Sequence, residues 1–337
     1  MITPKLSYPF TAIYSNRWYE HRPWFQVVYE WEDELQRVTN LPIKNSGHFF
    51  YQSRWALKLL EKGKSYKPFQ VWDRAFPSSN KALYFDMGPR FSYSHLTSSS
   101  VIPIIIDFWK NVCIERFIDV YQNCKAVFIS SLEALEYLQS KNCPLPLHHL
   151  PLSLPDKYHL LPGTHFEKDI DVLCLGRLNS LLYSYVQNLK AEQPALNYFV
   201  QKPSAGVLTY ETNLPAFSPD LNNRAEYFKL IGRSKVALYA TPGMDAGADR
   251  TGGFNPVTPR LFELLSGGCY CVGRYPDTVE TNYFNLNAVC SNVNNYEHFR
   301  ETVMQNLLAA QPIARNSDYL KQHYTTTRVS FINAALA

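Results

Sequence analysis

Residues 252–274 read GGFNPVTPRLFELLSGGCYCVGR, and this stretch decides the fold. A polar loop rich in glycine and proline gives way to a sharply started helix, a double-glycine stop and an apolar run. The order is loop, helix, strand. Thr258 suits the N-cap, and Pro259 suits the first helical position, where its missing N–H is no loss. Leu261, Phe262, Leu264 and Leu265 form a buried stripe, and Gly267–Gly268 end the helix where a left-handed conformation is cheap. A helix start of this kind offers unpaired N–H groups to an anion, and Arg260 adds a fork of donors. A cation in the first turn opposes the helix dipole, so its presence there asks for an anionic partner. Glu263 lies one turn further on, where a carboxylate favours a sugar hydroxyl over a phosphate.

Working outward, Lys235 to Ala240 reads as a strand leading into the loop Thr241 to Val257. Within it, GMDAGADRTGG places Asp245, Asp249 and Arg250 among glycines, and Asn255 directly precedes Pro256. Upstream, DIDVLCLGR holds an apolar strand from Ile170 to Leu175, with Gly176 and Arg177 at its C-terminal end. The pattern predicts a helix starting over Tyr183 to Leu189, a strand over Leu196 to Val200 and a helix over Arg224 to Ile231. Downstream it predicts a strand over Cys269 to Val272, a helix over Thr278 to Phe284 and a helical tail over Tyr296 to Leu308 and Asn316 to Ala335.

The N-terminal half shows the same rhythm from residue 101. A strand over Val101 to Ile106 ends in Asp107, and a helix over Asn111 to Asn123 follows. A second strand covers Ala126 to Ile129, and Ser130 with Glu133 makes a capping box that opens the helix Leu132 to Gln139. Alternation of this kind indicates parallel sheets with covered faces. Residues 1–100 are crowded with aromatic turns, with a helix expected around Gln52 to Leu60 and a strand over Lys81 to Phe85. The segment Cys143 to Gly163 carries five prolines and reads as a domain boundary. Domains are therefore expected at 1–160 and 161–320, with 321–337 a C-terminal helix free to return to the N-terminal domain. Gly176–Arg177, the loop before Thr258 and the helix start all fall at strand-to-helix junctions, where open parallel sheets bind ligands.

The 337 residues suit two domains, and a 46% apolar share excludes wholesale disorder. Net charge is only +4 with no dense Lys/Arg block, which argues against nucleic acid. The same mild balance suits an anionic small ligand or peripheral contact with an anionic bilayer. The N-terminus lacks the apolar core of a signal peptide, and Ile102 to Ile106 is too short to span a membrane. Most of the seven scattered cysteines, Cys269 and Cys271 sharing a strand face, read as small buried residues in a reducing, cytoplasmic compartment. His148–His149 read as structural, and no metal pattern is present. Aromatic residues make up 15% of the chain, which fits a tyrosine-rich core and surface first and a carbohydrate- or membrane-facing surface second.

The stretch PRLFELLSGGCYCVG, preceded by a strand and a glycine-rich loop, resembles the donor-binding domain of GT-B glycosyltransferases. It is most like the group 1 and CgeB-like branch. VFISSLEALEYLQSKN followed by LPLSLPD resembles the close of their acceptor domain, with Asp156 after the last strand. The likeness covers about residues 100–310. It implies two Rossmann-like α/β/α domains facing a cleft, the first for the acceptor and the second for the donor. It implies a nucleoside-diphosphate sugar as donor substrate and no separate cofactor or metal. The acceptor would be a saccharide or lipid-linked glycan, as in bacterial surface-polysaccharide synthesis at the inner face of the membrane, with retention of configuration. Glu263 would hold the nucleotide ribose. Gly176 and Arg177 would meet the diphosphate, with Arg260 supplying the cation that a missing family lysine does not. Read from its loop alone, Asp245 would hold a sugar ring, order a lid or stand in solvent, and Asp107 would face the acceptor as a base or else cap its helix. The chain departs from the family at Asn255, where a first glutamate is expected, and at Leu182, where a lysine is expected. Asn255 can still hydrogen-bond a sugar. The alternatives are a nucleotide-sugar epimerase of the same fold and a non-catalytic carbohydrate-binding module.

Overall fold

Two parallel sheets organise the chain, one in each of two units. In the computed structural model, residues 6–45, 81–89, 100–176, 179–202, 209–214 and 219–337 are described. The first unit comprises Met1–Asp156 with Thr325–Ala337, and the second Lys157–Tyr324. The expected helix around Gln52 to Leu60 lies outside the described residues, as does Arg177.

In the first unit, β1 (Ala12–Ser15), β2 (Ile43–Asn45), β3 (Ala82–Asp86), β4 (Val101–Ile105), β5 (Val127–Ile129) and β6 (Leu147–His149) form one sheet. The order is β2-β1-β3-β4-β5-β6, and every pairing is parallel. ALYFD and VIPII are buried along their whole length, as strands covered on both faces must be. The helices α1 (Gln26–Thr39), α2 (Ile114–Tyr121) and α3 (Leu132–Ser140) follow β1, β4 and β5.

The cap of α3 differs from the sequence expectation. Ser131, not Ser130, is the N-cap and accepts from the Ala134 N–H at 3.3 Å. The Ser130 hydroxyl is buried and donates to the Ile106 carbonyl instead. A buried hydroxyl must find a partner, and the carbonyl just past the neighbouring strand β4 supplies it.

The second unit contains β7 (Ile170–Cys174), α4 (Ser180–Glu192), β8 (Tyr198–Lys202), β9 (Thr209–Thr212), α5 (Arg224–Gly232) and β10 (Ser234–Ala240). It continues through α6 (Ala248–Thr251), α7 (Pro259–Ser266), β11 (Tyr270–Arg274), α8 (Val279–Tyr283), β12 (Cys290–Asn292), α9 (Tyr296–Leu308) and α10 (Ile313–Leu320). The strand order is β12-β11-β10-β7-β8-β9, parallel except for β9, which runs against β8. The chain winds from β7 to one side and from β10 to the other, so the switch in winding falls between those two strands. Two Rossmann-like α/β units are the fold class expected of a GT-B chain.

The decisive stretch folds as its pattern dictates. Leu261, Phe262, Leu264 and Leu265 are all buried, each stabilising the unit by roughly 2 kcal/mol. Gly268, at φ +67°, takes the left-handed position after the helix, and Gly267 leaves room for Ile231.

The tail over Asn316 to Ala335 is mainly helical, as expected, and two helices share it. α10 stops at Leu320, and His323 stacks on Phe262 at 4.9 Å. The last helix, α11 (Thr325–Leu336), then packs with the first unit on α1. Buried Arg328 donates to the carbonyls of Pro151 and Leu152, and Asp156 accepts the Thr326 N–H at 3.0 Å. Among the described residues no helix is long and apolar enough to cross a membrane.

Candidate anion and sugar site

The loops that follow β7 and β10 leave the sheet at the winding switch, and α7 begins beside them. In open α/β sheets this is where a crevice forms. The entry to α7 is held by side chains of its neighbours. The Tyr239 hydroxyl, at the end of β10, accepts the Thr258 N–H at 3.1 Å, and the buried Glu280 carboxylate accepts the Val257 N–H at 3.1 Å. Burial pushes the Tyr239 phenol up, with Arg260 opposing. Thr258 occupies the N-cap position with extended backbone, yet its hydroxyl makes no capping bond. The first turn therefore lacks the side-chain acceptor that normally closes it.

Arg260 turns from that first turn onto Gly176, at the end of β7. A Cβ at Gly176 would overlap the guanidinium's Cζ and Nη2 and lie 2.6 Å from Nη1. Gly176 also sits at φ +73°, a conformation glycine adopts without strain. Its N–H donates to Gln201 Oε1 on β8 at 2.6 Å, which fixes the turn against the sheet. Arg260 Nε is shut off from water and has no hydrogen-bond partner. A buried donor without a partner costs about 1–3 kcal/mol, more when the group is charged. Among the described residues no carboxylate pairs with Arg260. Its charge is felt by Cys174, whose thiol burial nevertheless pushes up to about 12.

Glu263 is only 4% exposed on the next turn. Oε1 accepts from Arg224 Nη2 at 2.6 Å, and Oε2 accepts from the Tyr227 hydroxyl at 2.9 Å. Both partners lie on α5, three residues apart and hence on one face. Asn223 caps that helix through the Ala225 N–H. The Arg224 guanidinium lies over the rings of Phe228 at 4.9 Å, Tyr227 at 5.1 Å and Tyr158 at 6.0 Å, and Tyr158 and Phe228 stack at 3.5 Å.

The loop after β10 is braced internally. Asp245, at φ +52°, receives a bidentate grip from Arg274 at 2.9 and 3.0 Å and a hydrogen bond from the Asn179 side-chain amide at 2.7 Å. Burial raises its carboxyl, but those partners outweigh it and hold the group below its ordinary range. Asp245 thus clasps the ends of β10 and β11 to the cap of α4. Asn255 is buried and accepts from the Thr241 hydroxyl at 2.7 Å while donating to the Gly253 carbonyl at 2.8 Å. Leu182, where lysine is expected, is a buried core residue of α4.

Gly176, Arg260 and Glu263 are therefore brought to one edge, with Asp245 and Asn255 in the adjoining loop. Asp107 lies in the first unit after β4, where its N–H bonds the Met87 carbonyl at 3.0 Å. Helix α2 starts only at Ile114, with Cys113 in the N-cap position and no side-chain capping bond, so Asp107 does not occupy its cap. The sequence reading missed Arg224, Gln201, Asn179, Arg274 and Glu280. Only the Asn223 cap ahead of Arg224 and Tyr227 gave a local signal, since the pairing with Glu263 spans two separate helices. Among the described residues no three His, Cys, Asp or Glu side chains gather as a metal site.

No protein-family model and no curated protein matches the chain. Solved structures are similar at low identity. The pneumococcal O-GlcNAc transferase GtfA in complex with UDP and GlcNAc is 12% identical, with a TM-score of 0.49 over 79% of this chain and 59% of that one. A GtfA/B complex chain is 10% identical, with a TM-score of 0.49 over 79% of this chain and 58% of that one. A putative UDP-N-acetylglucosamine 2-epimerase from Listeria monocytogenes is 8% identical, with a TM-score of 0.47 over 90% of this chain and 85% of that one. The chain thus spans less than two thirds of the length of the first two. None of the three singles out the group 1 or CgeB-like branch.

Proposed function

We propose that this chain is a nucleotide-sugar-dependent glycosyltransferase whose second unit grips the nucleoside diphosphate. The observation that carries the reading is Arg260, a guanidinium with a dry, unpartnered Nε beside an uncapped helix start at the winding switch. Both features favour an anion with several oxygens, as a diphosphate is. When the bond between the sugar's anomeric carbon and the diphosphate breaks, negative charge grows on the leaving oxygens. A fixed guanidinium and helix amides stabilise that charge without reorganising. Glu263 would accept hydroxyl protons of the ribose, and Arg177 would add a second cation.

A saccharide or lipid-linked saccharide acceptor would enter by the first unit. There the loop after β1 exposes Trp18 (48%) and Trp24 (55%), flat rings on which sugar faces can stack. Asp107 would serve that side. Retention of configuration belongs to the same reading.

Titration with uridine, guanosine and cytidine diphosphates tests the donor site. At least one should bind, and Arg260→Ala should weaken the diphosphate about 10–100-fold while leaving the bare nucleoside unchanged. Binding of none would refute the reading. A product assay with a donor panel separates the reactions: sugar transferred to acceptor supports transfer, whereas an isomerised nucleotide sugar without transfer assigns the site to an epimerase.

A further inference from the structure

Resting on the donor-site reading, we infer that Arg224 and Tyr227 are positioning residues that set Glu263 to recognise a vicinal diol, and so select ribose over 2′-deoxyribose. An ionised carboxylate has about four acceptor positions and no donor. Arg224 Nη2 takes one on Oε1 at 2.6 Å, and the Tyr227 hydroxyl takes one on Oε2 at 2.9 Å. Each oxygen keeps one further position. Two neighbouring hydroxyls, each donating to its own oxygen, match that arrangement, whereas a single hydroxyl leaves one oxygen short.

The clamp is built to hold its geometry. Arg224 and Tyr227 share the first turn of α5, so they approach Glu263 as one rigid element. The guanidinium is fixed by three rings, Tyr158, Tyr227 and Phe228, two of them stacked on each other. Burial, with Glu263 alongside, pushes the Tyr227 phenol up, so it stays protonated and donates. Two fixed donors on different oxygens leave the Glu263 carboxylate little freedom to rotate. Discrimination against a missing hydroxyl depends on such fixity, because a mobile carboxylate would turn to satisfy whatever remained.

The test compares uridine and guanosine diphosphates with their 2′-deoxy counterparts on the full chain, by calorimetry. Wild type should prefer the ribonucleotide by tenfold or more. Tyr227→Phe and Arg224→Gln should shrink that ratio towards one by weakening the ribonucleotide, with 2′-deoxy affinity and the binding of inorganic pyrophosphate little changed. Arg224→Lys, which keeps the charge, should restore part of the preference. A clamp that merely supports the fold would weaken ribo- and deoxyribonucleotides alike, and that result overturns the inference. So does a wild type that binds nucleotides without preferring ribose. Absence of binding by every nucleotide refutes the donor-site reading itself, and the inference with it.

Discussion

Gly176→Ala isolates the packing of Arg260 on the β7 turn. Two costs follow from the geometry. Alanine at φ +73° carries about 1–2 kcal/mol of left-handed backbone strain. Its Cβ also takes space now filled by Cζ and Nη2 of Arg260. The guanidinium is the far end of a flexible side chain and can swing away, so the overlap adds little to folding but moves the donors off the β7 turn. Folding stability should fall by roughly 1–2 kcal/mol, a drop in Tm of about 2–8 °C for a unit of this size. Diphosphate affinity should fall by the worth of a charge-assisted contact, about 1.5–3 kcal/mol or roughly 10–150-fold. Thermal unfolding and diphosphate titration read the two effects separately. The decisive measurement is the double variant with Arg260→Ala. If Gly176 acts only by seating that guanidinium, its substitution costs no further affinity in the Arg260→Ala background, a coupling that neighbours in contact should show. Additive losses, or full diphosphate affinity in Gly176→Ala alone, would refute the packing argument.

Other perturbations read other parts of the molecule. Asp245→Asn should destabilise the second unit by about 1–2 kcal/mol, measured by denaturant unfolding, because it breaks the Arg274 fork. The folded Asp245 carboxyl lies below its ordinary 3.8, so its stabilisation is complete above that value and disappears as pH falls through the folded pKa. The variant should flatten that acid limb. Glu32, buried on α1 beside Ser15 and Arg17, behaves in the opposite sense. Burial raises its carboxyl from 4.5 to about 7, so its contribution is complete below pH 4.5 and is lost as pH rises through 7. Glu32→Gln should remove a fall in stability across that window, and an unchanged pH profile would contradict it.

Much of the architecture was legible because local patterns and tertiary packing agree. The stripe of α7, its proline start and its glycine stop name that helix without outside help, and the apolar runs of β3, β4, β7 and β10 announce buried parallel strands. α1 was hidden for a physical reason. Its sequence puts Glu30, Glu32 and Glu34 among its apolar residues, and all three are buried, which a hydrophobic pattern assigns to solvent. Arg17 and Arg37 neutralise two of them from outside the stripe's logic. The site divides in the same way. Arg260 and Glu263 stood out because a cation at a helix start and a carboxylate within an apolar stripe each break a local rule. Arg224 breaks none, and its partner lies 39 residues away. The role expected of Asp245 came from loop composition and that of Asn255 from the position of a family glutamate, and neither foretells the partners that brace them, Arg274 and Asn179 for the one and Thr241 for the other.

The crossing between the units has a consequence for how the chain can be rebuilt. The outgoing chain passes Leu154 and Asp156, and the returning chain enters α11 at Thr325 and Thr326, with the Thr325 N–H bonded to the Leu154 carbonyl at 3.0 Å. Just inside the second unit, the Leu160 N–H meets the Tyr324 hydroxyl at 3.0 Å. Residues 157–324 therefore form an insert whose two ends lie side by side in an otherwise continuous first unit. Such an insert can be lifted out, circularly joined or exchanged at a single seam, so one unit can be replaced while the other keeps its own sequence and core.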